Sequence, residues 1–288
     1  MKALTDQQVR DYRYNGYLYP VPALKPHEAA EALRNLERSE AQLGAPLTKA
    51  ELKWRGATHT YLQWANDLCR HPRVLDIVED VLGPDILVYW STFFIKEPGS
   101  ATFAAWHQDA TYFGIEPLEH VTAWIALSDA SREAGCMDVI SAQGTPRQYR
   151  HDAKRLEHSI NGAGQEIVEP VDESNVVAME LKAGELSLHH TLCVHRSAPN
   201  RAAHRRVGYG VSYIPAYARL TGSYRLPAML VRGKDRWGYW DVMPERPRAD
   251  FAPEALDYHT YAYTRFRENY YEMEARHVAQ YSGSAANA

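Results

Sequence analysis

Apolar positions along the chain change their period near residue 84. Before it they recur at helical spacing. Thr5 followed by Gln8 forms a capping box that opens a short helix ending at Asn15-Gly16. Pro26 sits in the first turn of a second helix, whose Ala29, Leu33, Leu36 and Leu43 share one side up to Gly44. A third helix starts at Pro72, carries Val74, Leu75, Val78 and Leu82 on one side, and stops at Gly83-Pro84. From Asp85 the chain breaks into short runs rich in β-branched and aromatic residues: 86–96, 121–128, 137–140, 176–181, 185–195 and 206–214. Pro98-Gly99, Ala183-Gly184 and Pro199-Asn200 mark turns between them. Strands without long intervening helices predict a closed or two-sheet antiparallel architecture rather than a βαβ fold. After Pro215 the pattern weakens; a polar, Arg- and Tyr-rich helix is expected over 255–279, and the tail 282–288 is expected to be disordered. No repeat or long linker divides the chain. The expected organisation is one domain over 1–281, with a helical N-terminal region (residues 1–84), a β-barrel core of about 85–215 and a C-terminal extension (residues 216–281).

Composition narrows the class. With 288 residues, 45% hydrophobic, 24% charged and a net charge of −4, the chain is of ordinary globular type, and no basic excess points to nucleic acid. Three Cys (Cys69, Cys136, Cys193) form no CxxC and cannot all pair, so no disulfide framework is implied and a cytoplasmic setting is expected. The N-terminus lacks the apolar core of a signal peptide, and no run is long enough to span a bilayer. No membrane association and no obligate protein partner are expected. Tyr (19) and Trp (7) together greatly outnumber Phe (6), so most aromatics carry a polar handle suited to wet concave sites.

The most informative stretch is Trp106-His107-Gln108-Asp109. On an extended strand, residues two apart point to one face, so His107 and Asp109 can converge on a metal ion. A third ligand is offered by His195, at the end of the 185–195 run. Two His and one carboxylate form a facial triad that leaves room for a bidentate cosubstrate and O₂, as a non-haem Fe(II) oxygenase needs. Arg206 follows His195 by 11 residues, a spacing that lets a hairpin return a guanidinium to bind a carboxylate beside the metal. The alternative is that Arg201, Arg205 and Arg206 form a solvated basic cluster on a turn. His189 shares the face of His195 but is placed too far along the strand to be a ligand, His190 faces the opposite side, and Cys193 reads as a small core residue.

Together, His107-Gln108-Asp109, His195-Arg196-Ser197, Asn200 and Arg206 resemble the pattern of the phytanoyl-CoA dioxygenase family of Fe(II)- and 2-oxoglutarate-dependent oxygenases, from the N-terminal helices to about Pro215. The resemblance implies a mainly β fold, a double-stranded β-helix (a cupin-like jelly roll) with N- and C-terminal helices packed outside. It implies that His107, Asp109 and His195 hold Fe(II), with O₂ and 2-oxoglutarate as cosubstrates. Arg206, helped by the Ser197 hydroxyl, is implied to hold the far carboxylate of 2-oxoglutarate. Lys96 and Trp124 match further cosubstrate-pocket positions. Asp109 stands where some halogenating relatives have a small residue, so hydroxylation is implied. The chain departs from the family at Ser141-Ala142-Gln143-Gly144, where relatives often have Pro-Gly-Ser-His, and at Arg196, where they usually have Gly; both departures bear on the substrate.

Substrate-pocket candidates are Tyr112, Phe113, Tyr89 and Phe93, with the segment around 53–61, expected to be helical, and Arg232, Arg236 and Trp237 as further possibilities. The expected reaction is hydroxylation of an unactivated C–H bond of a small or medium-sized metabolite: amino-acid-like, a phosphonate or a natural-product intermediate. Three alternatives stand beside it: an acyl-CoA hydroxylase of the same mechanism, a non-catalytic metal-binding jelly roll, and a zinc hydrolase on the same triad.

Overall fold

The computed structural model describes residues 1–152, 156–161, 166–243 and 245–282, so all but the first residue of the expected disordered tail lies outside the described residues. The helical N-terminal region comprises α1 (Asp6–Asn15), strand β1 (Tyr17–Pro22), α2 (Pro26–Leu43), two 3₁₀ turns (Leu52–Arg55 and Thr58–Thr60), α3 (Gln63–Cys69) and α4 (Pro72–Leu82). The first strand-rich stretch holds β2 (Ile86–Lys96), β3 (Ala104–His107), α5 (Ala110–Phe113), β4 (Ile115–Glu116), β5 (Val121–Ala126) and β6 (Met137–Ile140). Next come β7 (His151–Asp152), β8 (Glu166–Ile167), β9 (Val176–Met179), β10 (Glu185–His190), β11 (Val194–Ser197) and β12 (Arg206–Pro215). The chain closes with β13 (Arg219–Leu220), β14 (Pro227–Arg232), β15 (Asp241–Val242) and α6 (Pro253–Ser282).

The helix boundaries follow the local signals. Thr5 and Gln8 close a reciprocal capping box on α1, and Gly16 and Gly44 end α1 and α2 in the left-handed region at φ 79° and 81°. The strands form a seven-stranded sheet in the order β1-β10-β5-β12-β2-β14-β15 and a four-stranded sheet in the order β3-β11-β6-β9. The fold is mainly β, a jelly roll with α1–α4 and α6 outside. Among the described residues, no helix is long and apolar enough to cross a membrane.

The large sheet has two unlike faces. Val207, Tyr209, Val211 and Tyr213 of β12, with Val121, Ala123 and Ile125 of β5, join Ala29, Leu36, Val74 and Ile77 of the helices in the main core. Burying each large apolar side chain of this kind contributes about 1.5–3 kcal/mol. Their alternates Arg206, Gly210, Ser212, Thr122 and Trp124 line a cavity instead. A one-residue slip would exchange the faces, so the helix-facing residues fix which side chains enter the site.

The structure corrects several expectations. The 185–195 run is two strands, β10 and β11, separated by a turn in which the Cys193 N–H donates to the His190 carbonyl at 2.8 Å. Strand β1, not anticipated because two prolines interrupt it, pairs with β10 at the edge of the large sheet, where prolines are tolerated. The 53–61 segment is 3₁₀ turns rather than a helix. The Ser141–Gly144 departure docks on the end of α1, through Ser141 Oγ to Asn15 Oδ1 at 2.7 Å and the Gly144 N–H to the Tyr14 carbonyl at 2.7 Å, and does not line the cavity.

Candidate metal and cosubstrate site

β3 and β11 are antiparallel neighbours in the small sheet, with His107 directly opposite His195. Their ring centroids lie 4.0 Å apart. Each Nδ1 faces a backbone carbonyl, that of Ala105 at 2.8 Å for His107 and that of Cys193 at 2.9 Å for His195. Donation of the Nδ1 proton there leaves the Nε2 lone pairs for a ligand. Asp109 joins them by a different route from the expected one. β3 ends at His107, and Asp109 adopts helical φ −65°, ψ −33° at the start of α5. The turn is held by buried Gln108, whose Nε2 donates to the carbonyls of Arg147 and Leu192 and whose Oε1 accepts from the Tyr149 N–H. Donor atoms of His107, Asp109 and His195 all lie within 4.8 Å of one another.

His189 stays outside the donor group, though not because it lies far along a strand. Splitting the 185–195 run folds β11 back, so His189 Nε2 lies 3.6 Å from Asp109 Oδ2 and its ring is 4.8 Å from that of His195. Thr122 Oγ1 lies 3.4 Å from the same carboxylate oxygen. Burial opposes ionisation of Asp109, but its contacts with His189, His195 and His107 outweigh it and hold the carboxyl well below its usual range. Burial pushes His107 down, with Asp109 opposing, and pushes His195 far below 6.5. A carboxylate and two neutral imidazoles are the donor set a divalent cation needs, so the residues fit a metal ion. Asn161 Nδ2 donates to His107 Nε2 at 3.0 Å, a bond that a cation on that nitrogen would displace.

A proton and a metal compete for the same Nε2 lone pairs, so affinity falls as pH drops through the imidazole pKa values. Since both are lowered from 6.5, Mn(II) affinity is expected to stay level between pH 8 and 6.5 and to fall only below that. Calorimetric titration with Mn(II), a redox-stable stand-in for Fe(II), checks this; a decline centred at or above pH 6.5 would contradict it.

The cavity, about 190 Å³, runs from the triad to Arg206. Arg206 is 3% exposed; its Nη1 donates to the Gly135 carbonyl at 2.9 Å, its Nη2 lies 3.4 Å from the Phe94 carbonyl, and its Nε has no partner among the described residues. Burial lowers its pKa to about 10, yet it remains a cation at neutral pH, set over the Trp124 ring at 5.2 Å. No carboxylate among the described residues pairs with it, so the pocket fits an anion. The adjacent Arg205 turns the other way, to Glu40 at 2.6 Å and Glu97 at 3.0 Å, so the two arginines do not form a solvated cluster. Lys96 is fully buried. Its Nζ meets Ser197 Oγ at 2.8 Å and the carbonyls of Gly135 and Ala198, and burial, reinforced by Arg206, pushes its pKa down to about 6. Ser197 is therefore engaged by Lys96. Asn200 braces the hairpin through its Nδ2 to the carbonyls of Lys96 and His204.

Gly208 makes the Trp124 platform possible, since a Cβ there would lie 1.8 Å from Trp124 Cζ2. Gly208→Ala is expected to tilt the indole into the cavity, raise the Kd for 2-oxoglutarate roughly tenfold and cost about 1–3 kcal/mol of overpacking. Calorimetry and thermal unfolding check it; unchanged cosubstrate affinity would show that the ring position is immaterial.

Of the substrate-pocket candidates, Phe93 and Phe113 line the cavity. Tyr112 and Tyr89 do not: Tyr112 is stacked on Tyr270 at 4.7 Å and Tyr89 packs against Trp240 at 5.3 Å, both buried in a separate apolar cluster. Of the 53–61 segment only Arg55 and Gly56 reach the cavity. Arg232 is committed to Asp76 and Glu79, while Trp237 lies at the surface against Tyr217 and Arg236 is exposed. A whole wall escapes the sequence reading: Tyr263, Phe266, Arg267 and Tyr270 of α6 line the cavity. Their i, i+3, i+4, i+7 spacing is itself the sequence signal of one helix face.

The family model described as Phytanoyl-CoA dioxygenase (PhyH) matches residues 12–208. A probable phytanoyl-CoA dioxygenase of Caenorhabditis elegans is 24% identical over 69% of this chain and 71% of its own length. The 1-deoxypentalenic acid 11-beta-hydroxylase of Streptomyces exfoliatus is 29% identical over 64% of each chain. Among solved structures, the non-heme monooxygenase ThoJ in its apo form is 29% identical, covers 93% of this chain and 99% of its own, and superposes with a TM-score of 0.81.

Proposed function

Because the chain belongs to the phytanoyl-CoA dioxygenase family of Fe(II)- and 2-oxoglutarate-dependent oxygenases, we propose that it hydroxylates an unactivated C–H bond of a small or medium-sized metabolite. The observation that carries this reading is one cavity with a His107–Asp109–His195 donor set at one place and, at another, a buried Arg206 without a counter-ion among the described residues. His107, Asp109 and His195 would hold Fe(II). With 2-oxoglutarate also bound, iron held there would supply the activation of O₂ that converts 2-oxoglutarate to succinate and CO₂ and places one oxygen atom on the substrate.

The chain's own residues orient rather than transfer protons. The Nδ1 bonds to Ala105 and Cys193 carbonyls set both imidazole rings, and His189 and Thr122 hold the Asp109 carboxylate. Arg206 anchors the far carboxylate of 2-oxoglutarate through its fork, with Trp124 beneath and the Lys96–Ser197 pair alongside. Phe113, Trp90, Phe266 and Tyr270 form an apolar wall that excludes water and positions the C–H bond. With Asp109 present as a third donor, hydroxylation is favoured over halogenation. A cavity of about 190 Å³ is little larger than one that encloses benzene, about 150 Å³. It supports a compact reacting group rather than an enclosed CoA ester.

The test is succinate formation across a metabolite panel, with mass detection of a product one oxygen heavier. Iron-dependent succinate with such a product is expected. Metal-dependent binding of 2-oxoglutarate without turnover would favour a non-catalytic protein, and zinc outperforming iron would favour a hydrolase.

A further inference from the structure

Two arginines of the α6 side of the cavity have no counter-ion among the described residues. Arg55 ends the Leu52–Arg55 turn, lines the cavity, and has a buried Nε without a hydrogen-bond partner among the described residues. The acidic residue of that stretch, Glu51, is engaged with Lys53 at 3.3 Å. Arg267 of α6 also lines the cavity; its guanidinium lies 4.5 Å from the Tyr271 ring centre and donates to the Tyr271 hydroxyl, with no carboxylate beside it. Tyr263 lines the same cavity as both arginines; burial raises its pKa, and the charges of Arg267 and Arg55 pull it back. The other cavity arginines are accounted for. Arg196 holds Asp138 at 3.3 Å and Glu173 at 2.9 Å, and Arg206 faces the cosubstrate pocket.

The adjoining wall is an aromatic platform. Trp90 stacks on Phe266 at 3.7 Å with an interplanar angle of 13°, and Trp90 lies 6.2 Å from Tyr263. Gly56, next to Arg55, lets the backbone meet this indole, since a Cβ there would come within 2.6 Å of Trp90 Cζ2. A partly buried guanidinium and a second cation lining the same cavity favour an anion, and the apolar wall they share suits a hydrocarbon body.

We propose that the substrate is an amphiphilic organic anion whose carboxylate or phosphoryl head seats between Arg55 and Arg267 while its apolar body lies on Trp90 and Phe266. This rests on the oxygenase reading only in calling that anion the substrate; the binding test involves no turnover, so loss of succinate formation would count against the oxygenase reading alone.

The experiment measures affinities of phenylbutanoate, phenylbutylphosphonate and the neutral phenylbutanamide for the anaerobic Fe(II)–2-oxoglutarate enzyme by calorimetry. At least one anion is expected to bind roughly ten- to a hundredfold more tightly than the amide, the span of a charge-assisted hydrogen bond. The better of the two identifies the head group. Arg55→Gln and Arg267→Gln should each reduce that preference about tenfold or more, with the 2-oxoglutarate Kd unmoved as the control for folding. Neither anion surpassing the amide, a preference that survives both substitutions, or loss of 2-oxoglutarate affinity in step with it would each overturn the proposal.

Discussion

Asp109→Ala is expected to abolish metal-dependent succinate formation and to weaken metal binding by more than a hundredfold, while leaving the metal-free protein folded. Loss of a group that merely supports a ligand costs about 10–100-fold in metal affinity, and under the proposed function Asp109 is itself a ligand, with His107 and His195. Its carboxylate is the one formal negative charge in the donor set, so its removal leaves two neutral imidazoles that bind a hard divalent cation poorly. In the metal-free protein the same change removes a carboxylate whose lowered pKa marks a stabilising contribution at neutral pH, so a lower starting Tm is expected. Thermal unfolding separates these effects. Mn(II) should raise the wild-type Tm and leave that of Asp109→Ala unmoved, and His195→Ala should behave alike. A variant that retains the metal-induced rise would remove Asp109 from the donor set.

Arg206→Met is expected to raise the Kd for 2-oxoglutarate by two to three orders of magnitude, since breaking a buried charge pair costs about 3–5 kcal/mol. The free protein should respond in the opposite sense. Among the described residues, Arg206 is buried without a carboxylate partner and with an orphan Nε, so an apolar replacement relieves desolvation when no cosubstrate is present. Stability without cosubstrate therefore stays level or rises as cosubstrate binding collapses. Arg206→Lys should fall between, because an ammonium restores charge but cannot form the two-pronged contact. Isothermal titration and thermal unfolding, each with and without 2-oxoglutarate, read both effects. A destabilised Arg206→Met protein with intact cosubstrate affinity would make Arg206 a structural residue.

What can be read in the chain follows how local the determinants are. Helix boundaries at Thr5, Gly16, Pro26, Gly44 and Pro72 rest on caps and prolines within a few residues, and the structure places them as expected. Strand-rich runs from Asp85 onward are likewise local. Pattern singles out His107, Asp109 and His195, but it does not contain the reason they converge. Asp109 leaves the strand because Gln108 is anchored to the 147–149 and 192 backbone, a contact between segments about 40 and 84 residues apart. The place of His189 is not legible, because a turn at 191–193 reverses the chain where period-two alternation runs straight through. Asn161, on His107 Nε2, carries no motif at all. The α6 wall has a legible helical stripe, yet nothing local says which neighbour a stripe will cover.

Under the proposed function, iron held by His107, Asp109 and His195 lets this chain oxidise 2-oxoglutarate with O₂. The decisive measurement supplies the Fe(II)-loaded protein with 2-oxoglutarate and ¹⁸O₂ in the presence of organic acids and weighs the succinate formed. Succinate carrying one ¹⁸O atom, lost on chelating the metal and in Asp109→Ala, is the predicted result. Absence of succinate across the acids, or succinate without label, would contradict it.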